Sequence, residues 1–283
     1  MIEFFARPAS AEEAVRIRAE HPGAVYAAGT TDISVKLYHE KLGADGLIDI
    51  SHIPCLRGID EEARTIGALT TFSDIIRFDG HTNELHLMRS VARNLAAAQV
   101  RNRATIGGNI SNANPSSDSA PVLCVLNAKA VVLTPEGERA MPVSEYLKMR
   151  TGGDTSALLL RFEYEPLCEG SAWQFEKIGR RTSLAIARIN ACAALAAENG
   201  RITDARLSLG AVSRVTGRFA LCEKALIGEP LSEESFLKAG EAAYEEAYGY
   251  IGGCASAEYK LAVIRDLVPE LFRRCAEKLE GKI

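Results

Sequence analysis

The spacing of apolar residues changes along this chain from strand-like to helix-like and back, and the changes mark out its elements. Phe4 and Phe5 read as a short strand, and Ser10-Ala11-Glu12-Glu13 is a capping-box pattern that predicts a helix to about Glu20. His21-Pro22-Gly23 ends that helix. Residues 24–28 then read as a buried strand running straight into Gly29-Thr30-Thr31-Asp32, with another strand at 47–50. A second unit starts near Arg64, with a strand at 65–69 and a short helix from Thr71 through Ile75 and Ile76. Leu87, Val91, Leu95 and Ala98 recur at helical spacing and predict a helix over 87–99. The polar Arg101-Asn102-Arg103 leads into Thr105-Ile106-Gly107-Gly108-Asn109, read as a loop. Residues 121–127 read as a buried helix, followed by a hairpin through Pro135-Glu136-Gly137 and a strand at 158–164.

Pro166 and Gly170 interrupt two apolar stretches, which places a domain boundary at 165–170. The division expected is 1–168, with subdomains of about 1–60 and 61–168, followed by 169–283. Beyond the boundary, 173–177 is strand-like. Residues 186–198 are so rich in alanine that propensity alone predicts helix. Asn199-Gly200 overrides it: this dipeptide is a strong hairpin turn and 205–212 alternates after it, so 186–198 is read as a strand. Helices are predicted at 219–226, 232–248 and 256–278, and the fold class is α+β.

Composition narrows the function by exclusion. At 283 residues the chain is longer than one ordinary domain, and its 33 basic against 37 acidic residues give a net charge of −4. No basic surplus points to nucleic acid. No apolar run has the roughly 18 residues of a membrane span, and the first residues lack a secretory pattern. The 7 cysteines are widely spaced with no C-x-x-C, which suits a reducing cytoplasm and argues against a zinc or iron–sulfur site. The 5 histidines form no ligand-spaced set, so no metal is assigned.

Two segments carry candidate chemistry. Ala27-Ala28-Gly29-Thr30-Thr31-Asp32-Ile33 follows a strand; its small residues let backbone N–H groups approach a ligand, and its threonines add hydroxyl donors. In Thr105-Ile106-Gly107-Gly108-Asn109, paired glycines at positive φ would turn consecutive N–H groups to one side as an anion-binding nest. Facing each other, the two would clamp a diphosphate; each alone also reads as an ordinary turn. The dinucleotide pattern G-x-G-x-x-G and the nucleotidase pattern G-x-x-x-x-G-K-[ST] are absent. Asp118 either accepts from ribose hydroxyls or caps the helix that follows. Lys177 and its neighbours Arg180 and Arg181 either form a solvated face or meet a nucleotide.

Taken together, these segments resemble the FAD-binding subunit or domain of the molybdenum hydroxylases, which include xanthine, carbon monoxide and nicotinate dehydrogenases. The resemblance spans nearly the whole chain and is most specific from Gln99 through Pro121. It implies a two-part FAD-binding domain of the vanillyl-alcohol-oxidase (PCMH) type and a smaller C-terminal domain of sheet plus helices. It implies bound FAD, with Ala27 through Ile33 as the first pyrophosphate loop and Ala104, Thr105, Gly107, Gly108 and Asn109 as the second. It also implies Asp118 at the ribose, Lys177 on the flavin nucleotide, and Leu159 and Leu95 as apolar contacts. Many relatives have glycine where this chain has Ala28, a residue that requires φ < 0. No catalytic acid or base is assigned. The activity implied is electron transfer beside a molybdopterin-containing large subunit and an iron–sulfur small subunit, with NAD as one acceptor. A self-contained FAD oxidoreductase and a flavin-free assembly module are the alternatives.

Overall fold

The computed structural model describes residues 2–181 and 184–281. In chain order its first half contains β1 (Phe4–Ala6), α1 (Ala11–Glu20), β2 (Ala24–Ala27), α2 (Ile33–Tyr38), β3 (Gly46–Asp49), β4 (Ile59–Asp60), β5 (Thr65–Gly67), α3 (Phe72–Arg77), α4 (Asn83–Asn94), α5 (Ala98–Arg101), α6 (Ile106–Ser111) and α7 (Ser119–Val125). There follow β6 (Lys129–Thr134), β7 (Gly137–Pro142), α8 (Val143–Thr151), β8 (Leu158–Glu163), β9 (Ala172–Ile178), β10 (Ile189–Glu198), β11 (Arg201–Gly210), α9 (Ala220–Leu226), α10 (Glu233–Ile251) and α11 (Ala257–Leu279).

These elements form two compact units that are not collinear with the chain. One comprises 1–82, 95–114 and 128–165; the other comprises 83–94, 115–127 and 166–283. The first unit holds two sheets: a three-stranded one in the order β1-β3-β2, whose pairs are parallel, and a five-stranded one in the order β4-β5-β8-β6-β7, whose pairs are antiparallel. The parallel pairs are made possible by the crossovers through α1, between β1 and β2, and α2, between β2 and β3. Ser10 starts α1 by accepting from the Glu13 N–H at 3.1 Å. Ala14, Val15, Ile48 and Leu158 share the apolar core beneath it.

Two expectations for residues 83–111 change. The helix expected over 87–99 spans Asn83–Asn94 instead, and the chain breaks at Ala96, whose φ is +43°. Arg101 holds that break by donating to the carbonyls of Leu95 (2.9 Å) and Ala96 (2.5 Å). The segment expected as a glycine loop forms the short helix α6, capped by Thr105, whose hydroxyl accepts from the Gly108 N–H at 3.0 Å.

The second unit is built on the antiparallel sheet β11-β10-β9. Asn199 (φ +50°) and Gly200 (φ +74°) make the two-residue turn between β10 and β11, the positive pair a tight hairpin with right-handed strand twist requires. The alanine-rich segment is therefore a strand. Its small side chains sit under α10 and α11, in a core that includes Ala191, Ala193, Leu207, Phe236 and Phe272. Gly240 lets those helices touch: a Cβ there would lie 2.7 Å from both the Arg265 carbonyl oxygen and the Pro269 ring. Four of the free cysteines, Cys124, Cys192, Cys222 and Cys275, are buried. Burial pushes the Cys124 and Cys275 thiols up to about 12 and the other two well above the usual thiol range, so all four are inert packing groups.

Candidate functional site

Within the first unit the two candidate loops meet. Ala27 ends β2 in register with Asp49, and the chain leaves the sheet through Ala28 and Gly29. Gly29 lies so close to the backbone of Arg103 that a Cβ would overlap the Arg103 carbonyl. Arg103 in turn donates from Nε to the Gly29 carbonyl at 3.4 Å. Ala104, Thr105 and Gly107 follow directly and are laced to 68–72: Phe72 N–H donates to Ala104 O at 3.1 Å, Ile106 to Thr70 at 3.0 Å and Gly107 to Ala68 at 2.9 Å. The chain's two small-residue segments are thus one juxtaposed pair.

The first loop carries unspent donors. Among the described residues, Gly29, Thr30, Thr31, Asp32 and Ile33 donate no backbone N–H to another group, and the hydroxyls of Thr30 and Thr31 have no partner. All of these residues are at least partly open to solvent. The tight turn falls on Thr30 (φ +60°), while Ala28 keeps φ < 0, so the alanine sits there without strain and the strained residue is two positions later. Asp32 begins α2 without a side-chain cap and instead pairs with Lys36 at 2.7 Å, and Lys36 also donates to Asn112 Oδ1 at 2.7 Å. The Lys36 ammonium offsets the one carboxylate of the loop, which would otherwise repel a phosphate.

The second segment differs from the nest expected of it. Gly107 and Gly108 both have φ < 0. Their N–H groups are used internally, as are those of Ile106 and Asn109, which donates to Thr105 O at 2.9 Å. Glycine is needed at 107 for close approach instead: a Cβ would lie 2.5 Å from the Ala68 carbonyl oxygen. Gly108 is exposed, and Asn109 is half-buried. The second segment therefore supplies a close-packed floor, while the run of consecutive free amides among the described residues belongs to the first.

A cavity of about 80 Å³ adjoins these segments. Ala28, Gly107, Gly108 and Leu159 line it, so four sequence-derived site residues from three stretches of chain converge there. Its polar side is fixed by Tyr146, whose hydroxyl is 2.8 Å from Ser111 Oγ, and by Arg150, which donates to Ser111 O at 2.9 Å. Burial raises the Tyr146 phenol, keeping it neutral and able to hydrogen-bond. Leu95 is buried but outside this lining.

In the second unit, Asp118 precedes α7 but makes no cap bond to it. Its Oδ2 is 2.5 Å from Lys177 Nζ, and its Oδ1 accepts from Asn190 Nδ2 at 2.9 Å. Both charged side chains are nearly enclosed, at 6% exposure for Asp118 and 14% for Lys177. Asp118 thus makes an ion pair in place of a cap bond, and Lys177 is enclosed while Arg180 and Arg181 are exposed. Arg103, Lys36, Tyr146 and Asn190 were not singled out from the sequence. Only Arg103, standing directly before Ala104, carried a positional signal.

The donor set fits a diphosphate: consecutive free amides and two hydroxyls, a compensated carboxylate, and glycine at the points of backbone contact. Set beside a parallel β-α-β sheet and a larger antiparallel sheet, this arrangement defines a flavin-nucleotide-binding fold. The chain belongs to the family described as the FAD binding domain in molybdopterin dehydrogenase, whose model matches residues 1–162, and the CO dehydrogenase flavoprotein C-terminal domain model matches 173–275. A xanthine dehydrogenase FAD-binding subunit from Escherichia coli O157:H7 is 26% identical, with 98% of this chain and 97% of the relative covered. The carbon monoxide dehydrogenase medium chain of Hydrogenophaga pseudoflava is 30% identical over 81% of this chain and 83% of its own length. A solved structure of carbon monoxide dehydrogenase from that organism superposes with a TM-score of 0.88 at 26% identity, covering 99% of this chain and 98% of the other. The chain is accordingly an oxidoreductase-family flavoprotein with FAD as its cofactor. Among the described residues no helix is long and apolar enough to cross a membrane.

Proposed function

We propose that this chain is the flavin-carrying electron-transfer subunit of a molybdenum hydroxylase complex, taking electrons from partner iron–sulfur centres and delivering them to NAD or another acceptor. The observation that carries the reading is the run of free amides from Gly29 to Ile33 set against Arg103 and Ala104. FAD, when bound, supplies the two-electron redox chemistry, and the chain supplies position and electrostatics.

Residues 27–33 hold the diphosphate, with Ala104, Thr105, Gly107, Gly108 and Asn109 as the packed wall. Leu159 offers an apolar surface to the nucleotide and Leu95 one to the flavin ring. Asp118 keeps lone pairs for ribose hydroxyls beyond those given to Lys177 and Asn190, and Lys177 holds its carboxylate in place. The molybdopterin-containing large subunit and the iron–sulfur small subunit are the partners. Relatives described as medium chains and FAD-binding subunits support an assembly of that kind. A reducing cytoplasm is the expected setting, since all 7 cysteines are free.

Stopped-flow absorbance of the flavin tests this. The isolated chain leaves purines, aldehydes and N-heterocycles unreacted. With the two partner subunits present, substrate bleaches the flavin and acceptor restores it. Turnover of an organic substrate by the isolated chain would establish a self-contained oxidoreductase instead. A purified chain without a flavin spectrum after incubation with FAD would establish an assembly module.

A further inference from the structure

A second cleft, of about 750 Å³, lies wholly on the second unit, between α4, the start of β9 and the end of α11. None of the sequence-derived flavin residues lines it. Its walls carry His86, Arg89, Arg93 and Lys278, and no carboxylate is among its lining residues. Arg93 is exposed, and its side chain makes no ion pair or hydrogen bond among the described residues. A volume of this size falls in the range of small-ligand sites. Concentrated positive charge in a concave wall raises the local concentration of anions.

The aromatic wall is built and held. Trp173 donates its indole N–H to Asn83 Oδ1 at 2.7 Å, and Asn83 Nδ2 donates to Ser171 O at 2.7 Å. Lys278 donates to the Trp173 carbonyl at 2.7 Å and to Gln174 Oε1 at 2.8 Å, and its ammonium stands 4.7 Å over the indole ring. A partly exposed tryptophan whose indole is held by one hydrogen bond and by an ammonium over one face needs no reordering to receive a flat ring on its other face. His86, Arg89 and Arg93 beside it suit phosphates, and an acidic ligand lacking a ring would leave the indole unused.

We propose that this cleft is a second nucleotide site, taking a nucleoside diphosphate with its base against Trp173 and its phosphates at Arg93 and His86. The proposal does not depend on how electrons leave the flavin.

Trp173 is the chain's single tryptophan, so the site carries its own reporter. The FAD-saturated full chain is titrated with ADP, following indole emission and heat, while visible absorbance tracks the flavin. The expected result is saturable binding with the flavin retained, weakened at least tenfold by Arg93→Glu, weakened less by Arg93→Gln, and weakened several-fold by Trp173→Phe in the calorimeter. Added salt lowers the affinity. No saturable signal at millimolar ADP overturns the proposal, as does binding that Arg93→Glu leaves unchanged. Pyrophosphate binding as tightly as ADP overturns the role of Trp173. Release of flavin by ADP means that ADP has entered the flavin site, and this also overturns it. A chain that takes up no FAD would count against the proposed function and leave the ADP result readable.

Discussion

Replacing Asp118 with alanine removes one half of a buried ion pair, and the structure gives the size of the effect. The Lys177 ammonium would stay behind at 14% exposure with the Asn94 carbonyl, 3.5 Å away, as its remaining partner among the described residues. Leaving one charge of a buried pair without its partner costs about 3–5 kcal/mol. Loss of a helix cap would cost only about 1 kcal/mol. Asn190 loses its bond to Asp118 but keeps the carbonyls of Ser117 (3.1 Å) and Ser116 (3.3 Å), so it adds little to the loss. Asp118→Ala should therefore destabilise the second unit by the larger figure even without flavin. Asp118→Leu combined with Lys177→Met should recover much of the loss, because no unpaired charge remains buried. The assay is urea unfolding of flavin-stripped protein followed by the emission of Trp173, which reports on this unit. FAD affinity is measured separately for each variant. A loss of 1 kcal/mol or less in Asp118→Ala, or a double variant as damaged as the two singles added together, would refute the reasoning.

Gly29→Ala should lower FAD content sharply while leaving urea unfolding seen by Trp173 unchanged, because the added methyl overlaps the Arg103 carbonyl within the first unit. Overpacking of this kind costs about 1–3 kcal/mol; flavin content equal to wild type would show that the loop contact is not needed. Asp154 supplies a pH test. The Ser156 backbone N–H, and then its hydroxyl, hold the Asp154 carboxyl below the usual carboxylate range. A depressed folded pKa gives stability that is complete above the unfolded value, about 3.9, and is lost as pH falls through the lower folded value. The wild-type advantage in thermal midpoint over Asp154→Asn should therefore be full at pH 7 and vanish in strong acid; an advantage that grows toward low pH would reverse the sign of the argument.

Much of the architecture was legible because it rests on short-range chemistry. Ser10 and Glu13 start α1 within one turn, and Asn199-Gly200 supplies the two positive φ values that make β10 and β11 a hairpin. The alanine-rich segment was readable as a strand from that turn alone, although its propensity favoured helix. The candidate flavin residues were marked by small side chains at two loops, and the structure brings those loops together at Gly29 and Arg103.

Other features depend on partners far away in sequence. Nothing near Asp118 announces Lys177, 59 residues on, or Asn190, 72 residues on, so the ion pair that takes the place of a cap bond could not be read from the sequence. The amides of α6 were expected to be free because paired glycines permit a nest. They were spent because 104–107 is laced to 68–72, a pairing that depends on chain reversal and not on local preference. Arg93 and Trp173 lie 80 positions apart without a shared motif and line the same cleft. The sequence by itself determined the turns, caps and small-residue loops, because these follow from backbone geometry within a few residues. Only the tertiary structure decided which donors and charges remain open to a ligand, because a group is left free or paired by whatever distant segment packs against it.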